Sequence, residues 1–331
     1  MKKRVCMVNV LSIVMRYQMM LSKLRMGACL SALTLCIGCS PLHHTVANSV
    51  EDTEPYRFKV IEQIVFSPDH WQQPLQADLY LPNSSLHLPV VLMVHGGGWS
   101  GRDRSDMKST AKKLAKHGYA VFNVSYRFAP EFTYPAQLHD LQLALLWLQN
   151  NAQKYQLDMG RLNGWGYSSG AHLIAQLASV SPGQAQSLVL SEELPTLRAV
   201  VAGGIPADLS QYSGSPIVIP FLGADLHENP DLYRQASPIN HISDRTPPTF
   251  LYHGKYDFLV EKEQSINYYQ SLLNKGIAAE IYLHPLWGHF AMFLLGGGAE
   301  SKGLEFLNQH NIEAGESSSL STRSVSFKAP E

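Results

Sequence analysis

Short apolar runs alternate with longer amphipathic stretches from residue 56 to residue 311. Residues 58–66 and 75–81 read as two early strands with a turn at Pro68-Asp69 between them. Residues 90–94 are apolar throughout, as in a strand buried on both faces. A helical stretch at 109–117 stops at Gly118, and 120–126 reads as the next strand. Residues 137–149 carry Leu138, Leu141, Leu145 and Leu148 on one helical face. A strand at 162–167 leads into a helix at 171–179, and further strands are expected at 199–203 and 250–252. An amphipathic helix at 261–275 closes at Gly276, and 280–283 is the last strand. This alternation predicts an α/β domain with a mostly parallel sheet covered by helices.

The ends of the chain read differently. Lys2, Lys3 and Arg4 precede an apolar run at 5–15, and Lys23 and Arg25 precede a second at 26–38. The second is shorter than the ~20 residues that span a bilayer and has the size of a signal-peptide core. Residues 1–38 are therefore assigned to a signal peptide, with Met19, Met20 or Met26 as alternative starts. The run closes Cys36-Ile37-Gly38-Cys39-Ser40, which resembles a bacterial lipobox, with Cys36 where that pattern has leucine. That resemblance implies lipidation of Cys39, export, and membrane anchoring with Ser40 directing the protein to the outer membrane. The alternative is an ordinary secretory signal and a periplasmic or secreted protein. Residues 39–55 are polar and suit a tether, and 312–331, with Ser317-Ser318-Ser319, read as a disordered tail. The catalytic domain is then 56–311.

Composition narrows the function. The formal net charge is -1 and there is no basic run, so nucleic acid is not an expected partner. All four cysteines lie within the first 39 residues, so the body holds no disulfide. No Cys/His spacing suggests a metal site, and no cofactor is expected.

Chemistry concentrates at two glycine-rich segments. Gly166-Tyr167-Ser168-Ser169-Gly170 has the G-x-S-x-G pattern that holds a nucleophilic serine on a tight strand-to-helix turn. His95-Gly96-Gly97-Gly98-Trp99 follows the strand at 90–94. Consecutive glycines cost conformational entropy, and close approach of backbone N–H groups to an oxyanion is a reason to keep them. The N–H groups of Gly97, Gly98 and Ser169 are the expected oxyanion hole.

With Tyr126-Arg127-Phe128-Ala129-Pro130-Glu131, Tyr134-Pro135-Ala136, Asp140, Ala171-His172-Leu173, Ala236-Ser237-Pro238 and His253-Gly254-x-x-Asp257, these segments resemble the α/β-hydrolase carboxylesterases. The similarity is to the hormone-sensitive-lipase-like, feruloyl-esterase and kynurenine-formamidase group. It implies an α/β-hydrolase fold: a mostly parallel eight-stranded sheet, helices on both faces and a small lid insertion, here at about 207–236. It also implies the order serine, acid, histidine. Asp257, past the strand at 250–252, takes the acid position. His289, past the strand at 280–283, takes the base position, with His284 as the alternative. Ser168 would attack a carbonyl, His289 would move the proton and Asp257 would orient His289. His95, His172, His253 and Asp140 are expected to be structural. Trp99, Tyr167 and Trp287 flank these positions, so an aromatic-lined pocket is expected. The implied substrate is a small-molecule ester. An arylformamide is the alternative, as is a non-catalytic envelope lipoprotein that binds through the same fold.

Overall fold

The structure, a computed structural model, describes residues 55–180 and 193–320, with side chains through 311. Cys39, both apolar runs and the tether up to residue 54 lie outside the described residues, as do 321–331.

Eight strands form one sheet: β1 (Phe58–Val65), β2 (Gln76–Pro82), β3 (Leu88–Val94), β4 (Ala120–Val124), β5 (Leu157–Tyr167), β6 (Val200–Gly203), β7 (Thr249–Gly254) and β8 (Ala279–His284). Their order is β1-β2-β4-β3-β5-β6-β7-β8. β1 and β2 pair antiparallel, as do β2 and β4, and every later pairing is parallel. The parallel part has β3 and β5 at its centre, which is why β3 is apolar throughout.

Helices cover both faces. Val90, Leu92 and Val94 point into one layer with Leu138, Leu141 and Leu145 of α2 (Ala136–Tyr155), Leu173 and Ile174 of α3 (Ser169–Ser179) and Leu272 of α6 (Lys262–Asn274). Val91 and Met93 point the other way, toward Ala111 and Leu114 of α1 (Lys108–Lys116) and Leu304 and Leu307 of α8 (Ala299–Leu320). Each fully buried Leu or Val contributes about 1.5–3 kcal/mol relative to exposure, so these two layers dominate the fold energy.

The expected helices and strands are present with shifted ends. α2 runs on to Tyr155 because Gln156 itself takes the left-handed cap conformation, at φ 55°. The insertion at 207–236, expected to be irregular, carries two short helices, α4 (Val218–Leu222) and α5 (Pro230–Gln235). Asn229 caps α5 by accepting from the Leu232 N–H, and Pro230 occupies its first turn. α7 (His289–Leu295) and α8 follow the last strand. α8 continues to Leu320, into the stretch expected to be a disordered tail. Glu313, Ala314 and Glu316 favour helix, and no proline occurs there before Pro330.

Candidate active site

Ser168 stands between β5 and α3 with φ 54° and ψ -124°, a conformation that costs a serine about 1–3 kcal/mol. Its surroundings leave the chain no other path. A Cβ on Gly166 would strike the Gly170 backbone, and one on Gly170 would strike the Val94 carbonyl. The Ser168 N–H donates to the Gly203 carbonyl at 2.7 Å, tying the turn to β6. The side chain is thereby pushed out over the C-terminal ends of the parallel strands, where ligands enter open α/β sheets.

The segments that follow β7 and the edge strand β8 meet it there. Nε2 of His289, at the start of α7, lies 2.9 Å from Ser168 Oγ. Nδ1 of the same ring lies 2.6 Å from Asp257 Oδ2. The Tyr167 hydroxyl donates to the His289 carbonyl at 2.6 Å and fixes the start of α7. Asp257 Oδ1 accepts the N–H groups of Leu259 at 3.0 Å and Val260 at 2.9 Å. Burial pushes the Asp257 carboxyl up, but hydrogen bonds from His253 and His289, the His289 charge and the Val260 N–H outweigh it. The net effect holds the group well below the usual carboxylate range, so it is ionised at neutral and mildly acid pH.

The glycine loop forms the opposite wall. Gly97 has φ 126° and Gly98 φ 61°, conformations that L side chains rarely adopt. Their N–H groups find no acceptor among the described residues. Ser169 opens α3, where backbone N–H groups lack helical partners. All three residues line a cleft of about 380 Å³ that also contains Ser168 and His289. Trp99, Tyr167, Ile217, Leu259, Phe290 and Phe293 give it an apolar lining. The insertion contributes Tyr212, Ser215, Ile217 and Val218, so it forms a wall of the cleft.

Trp99 and Tyr167 are thus where an aromatic lining was expected, and Trp287 is not. Trp287 stacks on His284 with ring centroids 4.0 Å apart and lies outside the cleft. The loop turns its side chain away, and Phe290 and Phe293 of α7 take the place expected for it. Their signal in the sequence was only the apolar run after His289. His284, the alternative base, has Nδ1 3.4 Å from the Leu286 N–H and does not reach Ser168.

The remaining candidates are internal. Asp140 pairs with the buried Arg127, Nη2 to Oδ1 at 2.8 Å, and accepts the Arg127 N–H and the Trp71 indole N–H. His172 Nε2 donates to the Ala236 carbonyl at 2.6 Å, and its Nδ1 faces the Trp99 indole at 3.3 Å. Burial pushes its pKa down to about 4. His95 is held at Nδ1 by the Gly96 carbonyl, 2.6 Å away. Among the described residues no three His, Cys, Asp or Glu side chains form a group that could hold a metal ion, and no helix is long and apolar enough to cross a membrane.

Known proteins share this arrangement of chain. The chain is 28% identical over 237 residues to the probable carboxylic ester hydrolase LipM of Mycobacterium tuberculosis, which takes in 69% of this chain and 53% of LipM. It is 28% identical over 217 residues to the esterase LipQ of the same organism, 62% of this chain and 51% of LipQ. It therefore spans about half the length of these relatives. A truncated carbohydrate esterase from gut microbiota superposes with a TM-score of 0.68 at 24% identity, covering 78% of this chain and 98% of that one. That likeness establishes the α/β-hydrolase fold. The BD-FAE family model matches residues 77–272, from β2 through most of α6 and so across Ser168 and Asp257, and the chain belongs to the BD-FAE family.

Proposed function

We propose that the chain is a serine hydrolase that cleaves small-molecule carboxylic esters through an acyl-enzyme. The observation that carries this reading is the line Asp257–His289–Ser168, joined at 2.6 and 2.9 Å and ending at a strained serine inside a cleft. Ser168 Oγ attacks the ester carbonyl as His289 Nε2 takes its proton. The carbonyl oxygen, now negative, is received by the N–H groups of Gly97, Gly98 and Ser169. His289 then protonates the leaving alcohol, and water repeats the sequence on the acyl-enzyme. Ionised Asp257 holds Nδ1–H and stabilises the imidazolium. The names of LipM, LipQ and the gut esterase agree on ester hydrolysis, which favours an ester over an arylformamide or a binding role.

Ser168→Ala tests this reading. The variant is expected to lose about a thousandfold or more in hydrolysis of short p-nitrophenyl esters while keeping its circular dichroism spectrum. A fluorophosphonate is expected to label the wild type at Ser168 and to leave the variant unlabelled. Retained turnover or labelling elsewhere would remove Ser168 from this role.

We propose also that Cys39 becomes the lipidated N-terminus and anchors the enzyme at the cell envelope. The support is Gly38-Cys39-Ser40 after an apolar run with basic residues before it. Cys39→Ala is expected to move the protein from the membrane fraction to the soluble fraction; an unchanged fraction would exclude the anchor.

A further inference from the structure

His253 is the penultimate residue of β7 and is fully buried, four residues before Asp257. Its Nε2 lies 3.0 Å from Asp257 Oδ2 and 2.8 Å from the Val260 carbonyl. Both neighbours only accept hydrogen bonds, so Nε2 carries the hydrogen. Nδ1 lies 2.7 Å from Ser265 Oγ in the first turn of α6, and the Ser265 hydroxyl donates to it. Oδ2 of Asp257 therefore has two imidazole N–H groups within reach, that of His289 at 2.6 Å and that of His253 at 3.0 Å, the second shared with the Val260 carbonyl at 2.8 Å. Oδ1 receives two backbone N–H groups. The carboxylate is thus surrounded by donors on both oxygens, and among these four donors His253 also ties the 257–260 turn to α6 through Ser265.

The geometry points to His253 as a positioning residue of the Asp257–His289–Ser168 relay: it fixes the rotation of the Asp257 carboxylate and takes up part of the negative charge that Oδ2 presents to His289. This inference rests on the serine-hydrolase reading above. The carboxylate favours the charged imidazolium of His289, and a second N–H on Oδ2 weakens that preference. Without His253 the whole charge of Oδ2 faces His289. The imidazolium then persists to higher pH, and the unprotonated base needed for attack appears later in an alkaline titration. Among the described residues the other ionisable groups around the relay include Tyr167 of β5, Tyr252 of β7, Tyr212 of the insertion, Asp208, Glu261, Glu263 of α6 and Arg102 of the cleft wall. Burial keeps the three tyrosines neutral in the working range. Arg102 is engaged by Asp106 at 2.7 Å.

The test is the pH profile of kcat/KM for a short p-nitrophenyl ester in the full chain, normalised to sites titrated with a fluorophosphonate. His253→Phe is expected to move the acid limb to higher pH by about half a unit or more and to lower kcat about tenfold, with KM within about twofold. His253→Gln offers an N–H at the Nε2 position and is expected to bring the limb back toward the wild-type value. A purely structural role would reduce the number of titrated sites and leave the limb of the remaining sites in place; that result overturns the inference. Should His253→Phe not fold, Ser265→Ala gives the same reading, because it frees Nδ1 and releases the tautomer. A smaller shift in the same direction supports the inference, and an unmoved limb overturns it. Failure of the serine-hydrolase reading itself is separate and visible in the wild type, as no phosphonate adduct at Ser168.

Discussion

The two halves of the site are built from opposite surroundings. Ser168 and the glycine loop rise from β5 and β3, central strands whose last six and last five residues are all buried. Behind them Trp99 stacks on Phe221 with centroids 4.3 Å apart, and His172 closes the edge of that pair. Asp257 and His289 follow β7 and β8; β7 is buried throughout, but β8 is the edge strand of the sheet and only half-buried. The loop after β7 presents Phe258 at 91% exposure, and α7 presents Leu294 at 71% and Phe290 at 64%. Backbone packing therefore sets the nucleophile half, while a few directed hydrogen bonds set the relay half. Substitutions in the first should appear as lost stability, and substitutions in the second as lost rate.

Asp257→Asn should break the comparison hardest on the relay side. The asparagine carbonyl keeps the Leu259 and Val260 N–H groups, and its amide then faces the N–H groups of His289 and His253 donor to donor. His289 is expected to turn to the wrong tautomer, lowering kcat/KM by about 10³–10⁴ while the denaturation midpoint moves little. Ester turnover and a urea titration of the same preparation check both halves of that statement. Gly166→Ala is the counterpart. Its methyl group would overlap backbone atoms of Gly170 and Ala171, which cannot move aside as a side-chain tip can. A loss of about 2–3 kcal/mol in folding stability is expected, measured by the same titration.

This division also explains what could be read from the sequence. The central strands and the serine turn declare themselves because burial on both faces demands continuous apolar runs and tight turns demand glycine. The edge gives weaker signals. The segment His289–Leu295 is apolar on every face, since Met292 packs inward while Phe290 and Leu294 face solvent, so no period separated core from surface. Trp287 shows a second limit. Chain adjacency to His289 suggested a pocket residue, but side-chain direction in a loop follows the local turn, here onto His284. The cap signal Asn229-Pro230 of α5 stands in the sequence, but the expectation of an irregular insertion passed over it. The bond from His253 to Asp257 joins residues that belong to one motif, yet only the fold of the 253–257 turn brings Nε2 to the carboxylate.

Acid should separate the halves again, more gently. His172 is pushed down to about 4 by burial, and His95 is lowered by burial too. An unfolded histidine titrates near 6.5. Between those values the unfolded chain binds protons that the folded one refuses, so stability is full above about pH 6.5 and falls as pH drops toward 4. Asp257, held low, adds a loss only at still lower pH. A decline of about 2 kcal/mol by pH 4.5 is expected from chemical denaturation across pH. His172→Gln retains an N–H for the Ala236 carbonyl and is expected to flatten the slope. An unchanged slope would assign the loss to other groups.

The smallest effects are expected on the relay rim, and they distinguish cleft from surface. Phe258 and Phe290 are both exposed phenylalanines beside the relay, but only Phe290 lines the cleft. Phe258→Ser removes a ring already in water, so stability should stay within about 0.5 kcal/mol and kcat/KM within about twofold. Phe290→Ser removes apolar surface that a bound ester would cover. It should leave stability equally unmoved and raise KM about three- to tenfold for longer acyl chains, with kcat nearly constant. Kinetics over a series of p-nitrophenyl esters checks the difference. A similar rise in KM for both variants would mean that Phe258 contacts the substrate as well, extending the binding surface beyond the cleft walls to the exposed edge of the sheet.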